Sequence, residues 1–395
     1  MTSETLIHKD GLYVMQTYSR HPVAVKSGTG ATLTDFEGRQ YIDFTSGIGV
    51  NSVGYSNPKW VSAVAGQAKT LAHISNLFYT EPGTLLAEKL CALSHMNKVF
   101  FANSGAESNE GMIKLARKYS YDRYGSGRFT IITLRQSFHG RTITTLSATG
   151  QDKFHNYFFP FTDGFRYAPP NDIDAVEALD DGSVCAVMIE LVQGEGGVHP
   201  LDPDYVKGLE SLCRERDWLL LAHEVQTGIG RTGKFFAYEH YGILPDAVSF
   251  AKGIAGGLPL GGFLVNEKLS SVLGPGTHAT TYGANPVCCA AGLAVLDILV
   301  NDGVMDTVEE KGRYIRSMIE SFRLPVINGT RGLGLMIGIS CYGVEPSAAA
   351  AALISNGLLV LTAGSDAIRL LPPLTITYEE IDKGLEIFNG TISRL

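Results

Sequence analysis

Lys252 closes the apolar run Ala247-Val248-Ser249-Phe250 and opens a glycine-rich turn, Gly253-Ile254-Ala255-Gly256-Gly257-Leu258-Pro259-Leu260-Gly261-Gly262. An amine at the end of a buried strand loses hydration, which disfavours its charged form. A neutral amine condenses with aldehydes, so Lys252 is a candidate to hold pyridoxal phosphate as a Schiff base. The bland alternative is a solvated strand cap. What decides between them is the rest of the chain.

Asn103-Ser104-Gly105-Ala106-Glu107 follows the apolar Val99-Phe100-Phe101 and reads as a small-residue turn opening a helix, with Ser104 and Glu107 at capping-box spacing. Free backbone N–H groups and the helix dipole at such a turn suit a phosphate, although a plain capped helix has the same pattern. Phe138 and Arg141 in Ser137-Phe138-His139-Gly140-Arg141 pair a ring that can stack on a flat ligand with a guanidinium that can grip a carboxylate. Glu190 and Glu195 follow the run Val184–Ile189, at the edge where open α/β sheets bind ligands. The segment His223-Glu224-Val225-Gln226-Thr227-Gly228-Ile229-Gly230-Arg231-Thr232-Gly233 spaces its glycines as a dinucleotide fingerprint does. It lies mid-chain, however, where no first βα turn is expected. Nor does it begin an H-E-x-x-H zinc site, because position 227 is Thr. Thr281 and Arg369 carry little information singly.

These residues need a scaffold. The runs 99–101, 129–134, 184–189, 218–222, 247–250 and 262–265 alternate with helical stretches, which predicts a mostly parallel sheet covered on both faces. After about residue 286 come helices over 287–300 and 306–322, strands over 335–340, 358–361 and 368–371, and a last helix capped by Thr377 and Glu380. The hairpin-like segment 31–44 is expected to join this second unit. The α/β chain thus divides into residues 1–48, the N-terminal part of a small α+β domain; 49–286, a large ligand-binding domain; and 287–395, the C-terminal part of the small domain. With 395 residues, 45% of them hydrophobic, the chain can bury a sizeable core. A net charge of −8 argues against nucleic acid or anionic membrane as general partners. Six cysteines without a C-x-x-C pair read as reduced thiols, and neither a leader nor a membrane-spanning run is visible, so a cytoplasmic location is expected.

In this order, from about Tyr18 to Leu374, the segments resemble the class III (subgroup II) pyridoxal-phosphate aminotransferases, and within them the acetylornithine aminotransferase family. The resemblance implies PLP fold-type I and a homodimer with shared active sites. It assigns Lys252 to the covalent bond with the cofactor, Ser104, Gly105 and Ala106 to its phosphate, and Thr281 to the phosphate held by the other subunit. Phe138 and Val225 would pack on the two faces of the cofactor ring, with Gln226 at the ring hydroxyl. Arg141 would take the substrate α-carboxylate, and Glu195 would mask Arg369 until 2-oxoglutarate claims it. One position departs. The family has Asp where this chain has His223, and a carboxylate there keeps the pyridine nitrogen protonated. Losing one charge pair at about 3 Å forfeits up to roughly 5 kcal/mol of gross attraction at an effective dielectric of about 20. A third of that in the transition state slows the reaction about tenfold or more.

The reaction so implied is transfer of the terminal amine of N2-acetylornithine to 2-oxoglutarate, in arginine biosynthesis, slowed by His223. Segment Ser46-Gly47-Ile48-Gly49-Val50-Asn51 lacks the tyrosine of ornithine δ-aminotransferases, which leaves room for an acylated α-nitrogen. Succinylornithine, ornithine and 4-aminobutyrate remain open as donors, and His223 leaves open a catalytically impaired, PLP-binding paralogue. No metal is called for.

Overall fold

Seven segments of four to six residues form one sheet in the spatial order Lys98–Ala102, Gly261–Val265, Ala247–Phe250, Leu219–His223, Val184–Ile189, Thr130–Leu134, Phe165–Ala168. The computed structural model describes the whole chain, residues 1–395. All strands run parallel except Gly261–Val265, which is antiparallel to both neighbours. The period of two along each strand divides its side chains between two cores. Leu219 and Leu221 pack with Met112, Leu115 and Phe263 on one face. Leu220 and Ala222 join Val206, Leu209 and Val248 on the other. Burial on both faces is why these strands read as unbroken apolar runs.

Six of the seven strands lie where the runs predict them, within a residue or so. The seventh, Phe165–Ala168, has no apolar run to announce it. It is an edge strand, paired only with Thr130–Leu134, and its Phe165, Arg166 and Tyr167 are half-buried.

A four-stranded sheet joins Val25–Thr29, Thr32–Asp35 and Gln40–Asp43 to Leu358–Leu359, and the last two pair in parallel. Another four-stranded sheet holds Ile327–Leu333, Met336–Cys341, Ala367–Leu370 and Leu361–Ala363. The single strand expected over 358–361 is therefore two short pieces that serve different sheets, separated at Val360. The last helix, Tyr378–Ile392, begins with the expected capping box at Thr377 and Glu380. The Glu380 carboxylate does double duty: Oε2 accepts from the Thr377 N–H at 3.0 Å and Oε1 from the Ala31 N–H at 2.7 Å, tying the chain's two ends together. The expected helix 287–300 is helical over Pro286–Leu296 and then widens into a π turn, Asp297–Asn301. No single helix is long and apolar enough to cross a membrane.

Because Val184–Ile189, Leu219–His223 and Ala247–Phe250 are parallel neighbours, the residues that follow them emerge at one edge of the sheet. Glu190, His223 and Lys252 meet there although they are far apart in sequence.

Candidate active site

At that carboxyl edge lies a cavity of about 610 Å³, and its walls include Ser104, Gly105, Ala106, Phe138, Arg141, Glu195, His223, Val225, Gln226 and Lys252. Ser104 caps the 20-residue helix Gly105–Tyr124: its Oγ accepts from the Glu107 N–H at 3.2 Å. The Glu107 carboxylate returns to the Asn103 N–H at 2.6 Å, one residue before the cap. The helix N-terminus thus opens on the cavity, where free N–H groups and the helix dipole can hold an anion without a cation in the turn. Gly105 is needed for closeness, since a Cβ there would lie 2.6 Å from Val225 Cγ1. Overpacking of this kind costs about 1–3 kcal/mol. Gly105→Ala is therefore expected to weaken cofactor binding about tenfold, read by titrating apoenzyme while following fluorescence; unchanged affinity would show that the loop is not the phosphate cradle.

Lys252 leaves its strand with a φ of 45°, a left-handed conformation that a lysine adopts only when its surroundings impose it. Burial pushes its amine down to about 8; Glu195 and Glu190 oppose that shift, and Arg369 and Arg231 reinforce it. The amine is thereby prepared as a nucleophile and base. Glu190, buried, accepts from the Phe138 N–H at 2.9 Å, and burial pushes its carboxyl up to about 8.

Glu195 and Arg369 form an ion pair at 2.6 Å in which Arg369, on strand Ala367–Leu370, is only 3% exposed and Glu195 is 32% exposed. Burial works to raise the Glu195 carboxyl, but the Arg369 guanidinium outweighs it and holds the group below its usual range. Gln226 bridges the pair: its Oε1 accepts from Arg369 Nη1 at 3.2 Å and its amide reaches Glu195 at 3.5 Å. The arginine stands behind the glutamate, outside the cavity wall, as a masked cation would. Arg141 is exposed at the mouth, its guanidinium 4.4 Å from the Phe154 ring centroid and 5.6 Å from that of Phe138. Below it a second space of about 380 Å³ continues the first, sharing Val50, Phe138, Arg141, Glu195 and Lys252 and adding Gly47, Ile48, Gln151, Lys153 and Phe154.

His223 ends strand Leu219–His223, 7% exposed, with its Nδ1 at 2.7 Å from Nδ1 of the buried His139. Burial pushes the His223 imidazole well below its usual range, and the neighbouring His139 and Lys252 act in the same direction; burial pushes His139 down to about 3. Of the residues singled out in the sequence, only Thr281 and Arg369 stand outside the cavity, Thr281 on an exposed loop and Arg369 behind Glu195. His139, Lys153 and Phe154 were not foreseen as site residues. Nothing in the sequence marks His139, whose partner is 84 positions away.

A family profile described as Aminotransferase class-III matches residues 13–392. The chain belongs to the class-III aminotransferases. It is 47% identical over 386 residues to the acetylornithine aminotransferase of Caldanaerobacter subterraneus subsp. tengcongensis, covering 97% of this chain and 98% of that one. It is equally identical, 47% over 397 residues and the full length of both, to the enzyme of the same name from Haemophilus ducreyi. Among solved structures, the ornithine aminotransferase of Toxoplasma gondii superposes with a TM-score of 0.95 at 31% identity, covering 99% of this chain and 95% of that one. The acetylornithine aminotransferase of Elizabethkingia anophelis superposes at 0.89 with 33% identity over the full length of both. This class-III aminotransferase is a pyridoxal-phosphate enzyme of the α/β fold described above, and another structure of the Toxoplasma enzyme is described with PLP at its active site. The cavity suits that cofactor: it offers a helix N-terminus for the phosphate, Phe138 and Val225 for an apolar ring and a buried amine for its aldehyde.

Proposed function

We propose that this aminotransferase moves the terminal amine of N2-acetylornithine to 2-oxoglutarate, giving N-acetylglutamate 5-semialdehyde and glutamate, a step of arginine biosynthesis in the cytoplasm. The observation that carries the choice of donor is the space beside Gly47, Ile48 and Val50, which runs on from Lys252 and has no bulky polar side chain on that wall to exclude an acyl group. The 47% identity to acetylornithine aminotransferases supports the same reading.

In this reading Ser104, Gly105 and Ala106 bind the phosphate, Phe138 and Val225 enclose the ring, Gln226 meets the ring hydroxyl and His223 the ring nitrogen. When bound, the cofactor supplies an electron sink at the carbon that loses its proton. Lys252 Nζ would take up the proton of the substrate carbon bearing the amine and hold it for return. Arg141 orients the donor by its α-carboxylate, while Glu195 covers Arg369. When 2-oxoglutarate enters, Glu195 releases Arg369 to the second carboxylate. One pocket thereby accepts both a neutral and an anionic side chain.

The working unit is a homodimer. Leu77, Phe78, Tyr79 and Tyr282 are exposed beside one another's loops, and Asn76 Nδ2 donates to the carbonyls of Thr280 and Gly283 at 3.2 and 3.0 Å. An apolar patch of that kind suits a second copy, and Thr281 on it would reach the partner's phosphate. Residues 1–48 and 287–395 would move as one small domain against 49–286.

Steady-state turnover tests the donor: kcat/KM is expected to be at least about tenfold higher with N2-acetylornithine than with ornithine, which corresponds to about 1.4 kcal/mol. A preference for ornithine overturns the assignment. Covalent capture of cofactor by apoenzyme needs the neutral amine of Lys252, so its rate should rise with pH through about 8 and level off above it. A rate flat from pH 6 to 9, values chosen about one to two units around that pKa, would place the nucleophile elsewhere. His223→Asp should accelerate the donor half-reaction about tenfold or more, since it restores a charge at the ring nitrogen. Stopped-flow single turnovers of the two forms would decide it, and equal rates would contradict it.

A further inference from the structure

We propose that His139 and His223 form a coupled tautomer pair in which His139 Nδ1–H donates to His223 Nδ1, so that His223 presents its Nε2–H to the pocket and holds the ring nitrogen of the bound cofactor unprotonated. The proposal rests on the reading that this cavity takes pyridoxal phosphate. In that molecule the ring nitrogen lies opposite the carbon that carries the aldehyde, and His223 lines the same cavity as Lys252, so it is available to meet that nitrogen when the aldehyde is held by the lysine.

Two neutral imidazoles carry one N–H each, and the 2.7 Å contact between the two Nδ1 atoms requires that one of those protons sit between them. If it belongs to His139, then His139 Nε2 is a bare lone pair and His223 carries its proton on Nε2. If it belongs to His223, then His139 carries an N–H on Nε2. That atom is buried and has no hydrogen-bond partner. Buried N–H groups without an acceptor are rarer in proteins than under-used acceptors, which favours the first arrangement. Each arrangement has one ring of each tautomer, so the intrinsic preference of imidazole cancels between them. The backbone of His139 is held in place: its N–H donates to Thr149 Oγ1 at 2.9 Å and its carbonyl accepts from Asn109 Nδ2 at 2.7 Å.

Charge points the same way. The titratable groups acting on His223 are His139 and Lys252, and neither is an anion. Glu190 is spent on the Phe138 N–H and Glu195 on Arg369. A protonated ring nitrogen would be a buried cation whose nearby carboxylates are already engaged elsewhere. His139 is thus a positioning residue that acts through His223: it selects which form of the ring nitrogen His223 can satisfy.

Two nitrogen-15 NMR measurements test this. In the first, holoenzyme reconstituted with cofactor labelled at the ring nitrogen is compared with free cofactor titrated to its protonated and unprotonated limits. Wild type is expected at the unprotonated limit and His223→Asp at the protonated one; a protonated nitrogen in wild type overturns the proposal. In the second, the apoenzyme is labelled in its histidine rings and assigned with His139→Phe, or with His223→Asp if the first variant does not fold. His139 is expected as the Nδ1–H form and His223 as the Nε2–H form, and the reverse pair overturns the inference even without cofactor. If labelled cofactor does not remain with the protein through gel filtration, the cofactor assignment fails, and the apoenzyme tautomers still decide the histidine pair.

Discussion

Lys252→Ala will slow transamination by about a thousandfold or more while leaving the protein folded. A positioned general base alone contributes about 10²- to 10⁴-fold, and the same amine is the only lysine amine lining the cavity. Folding should survive because the substitution removes a group whose charged form burial already disfavours, and the left-handed backbone there is occupied by a non-glycine residue in both proteins. Borohydride reduction of holoenzyme followed by peptide mapping supplies the matching readout: the label is expected on the peptide containing Lys252 in wild type and nowhere in the variant. Activity within about tenfold of wild type, or a label at another lysine, would remove the foundation of the mechanism.

Arg369→Ala will raise KM for 2-oxoglutarate by about a hundredfold and leave the donor half-reaction much less affected. Truncating one partner of a buried, hydrogen-bonded ion pair costs about 2–5 kcal/mol, and here the guanidinium has two uses. It holds Glu195 ionised at 2.6 Å, and it is the only cation behind that carboxylate able to receive a second acid group. Without it, burial is opposed only by the weaker effects of Lys252 and Gln226, so the Glu195 pKa rises and the carboxyl, more easily protonated, continues to suit an uncharged donor side chain. The half-reaction with N2-acetylornithine, followed by absorbance in single turnovers, is therefore the internal control for folding. Equal losses in both half-reactions would mean that the pair is a structural brace and not a switch.

The chain's ordering of apolar runs was enough to read the large sheet, because each central strand is buried on both faces and must be apolar throughout. The edge strand Phe165–Ala168 escaped since one partner and half-burial leave Arg166 and Tyr167 free to be polar. Segment 358–361 misled for a related reason: Leu358 and Leu361 are both apolar, but the chain bends at Val360 to serve two sheets. The capping box at Thr377 was legible because its partners are three residues apart, while the further bond from Glu380 to Ala31 was not.

The same division runs through the site. Lysine after a strand, small residues before a helix and a ring beside an arginine are local patterns, governed by forces acting over a turn or a strand end, and the sequence alone determined them. Which of these residues meet was decided by the order of parallel strands, which brings Glu190, His223 and Lys252 to one edge. The pairing of Glu195 with Arg369 across 174 positions was expected only through the family resemblance, and that of His223 with His139 across 84 belongs to the tertiary structure alone. The substitution at position 223 could be seen in the sequence, but its consequence could not: an imidazole's proton goes where its neighbour permits, and only the packed structure supplies the neighbour.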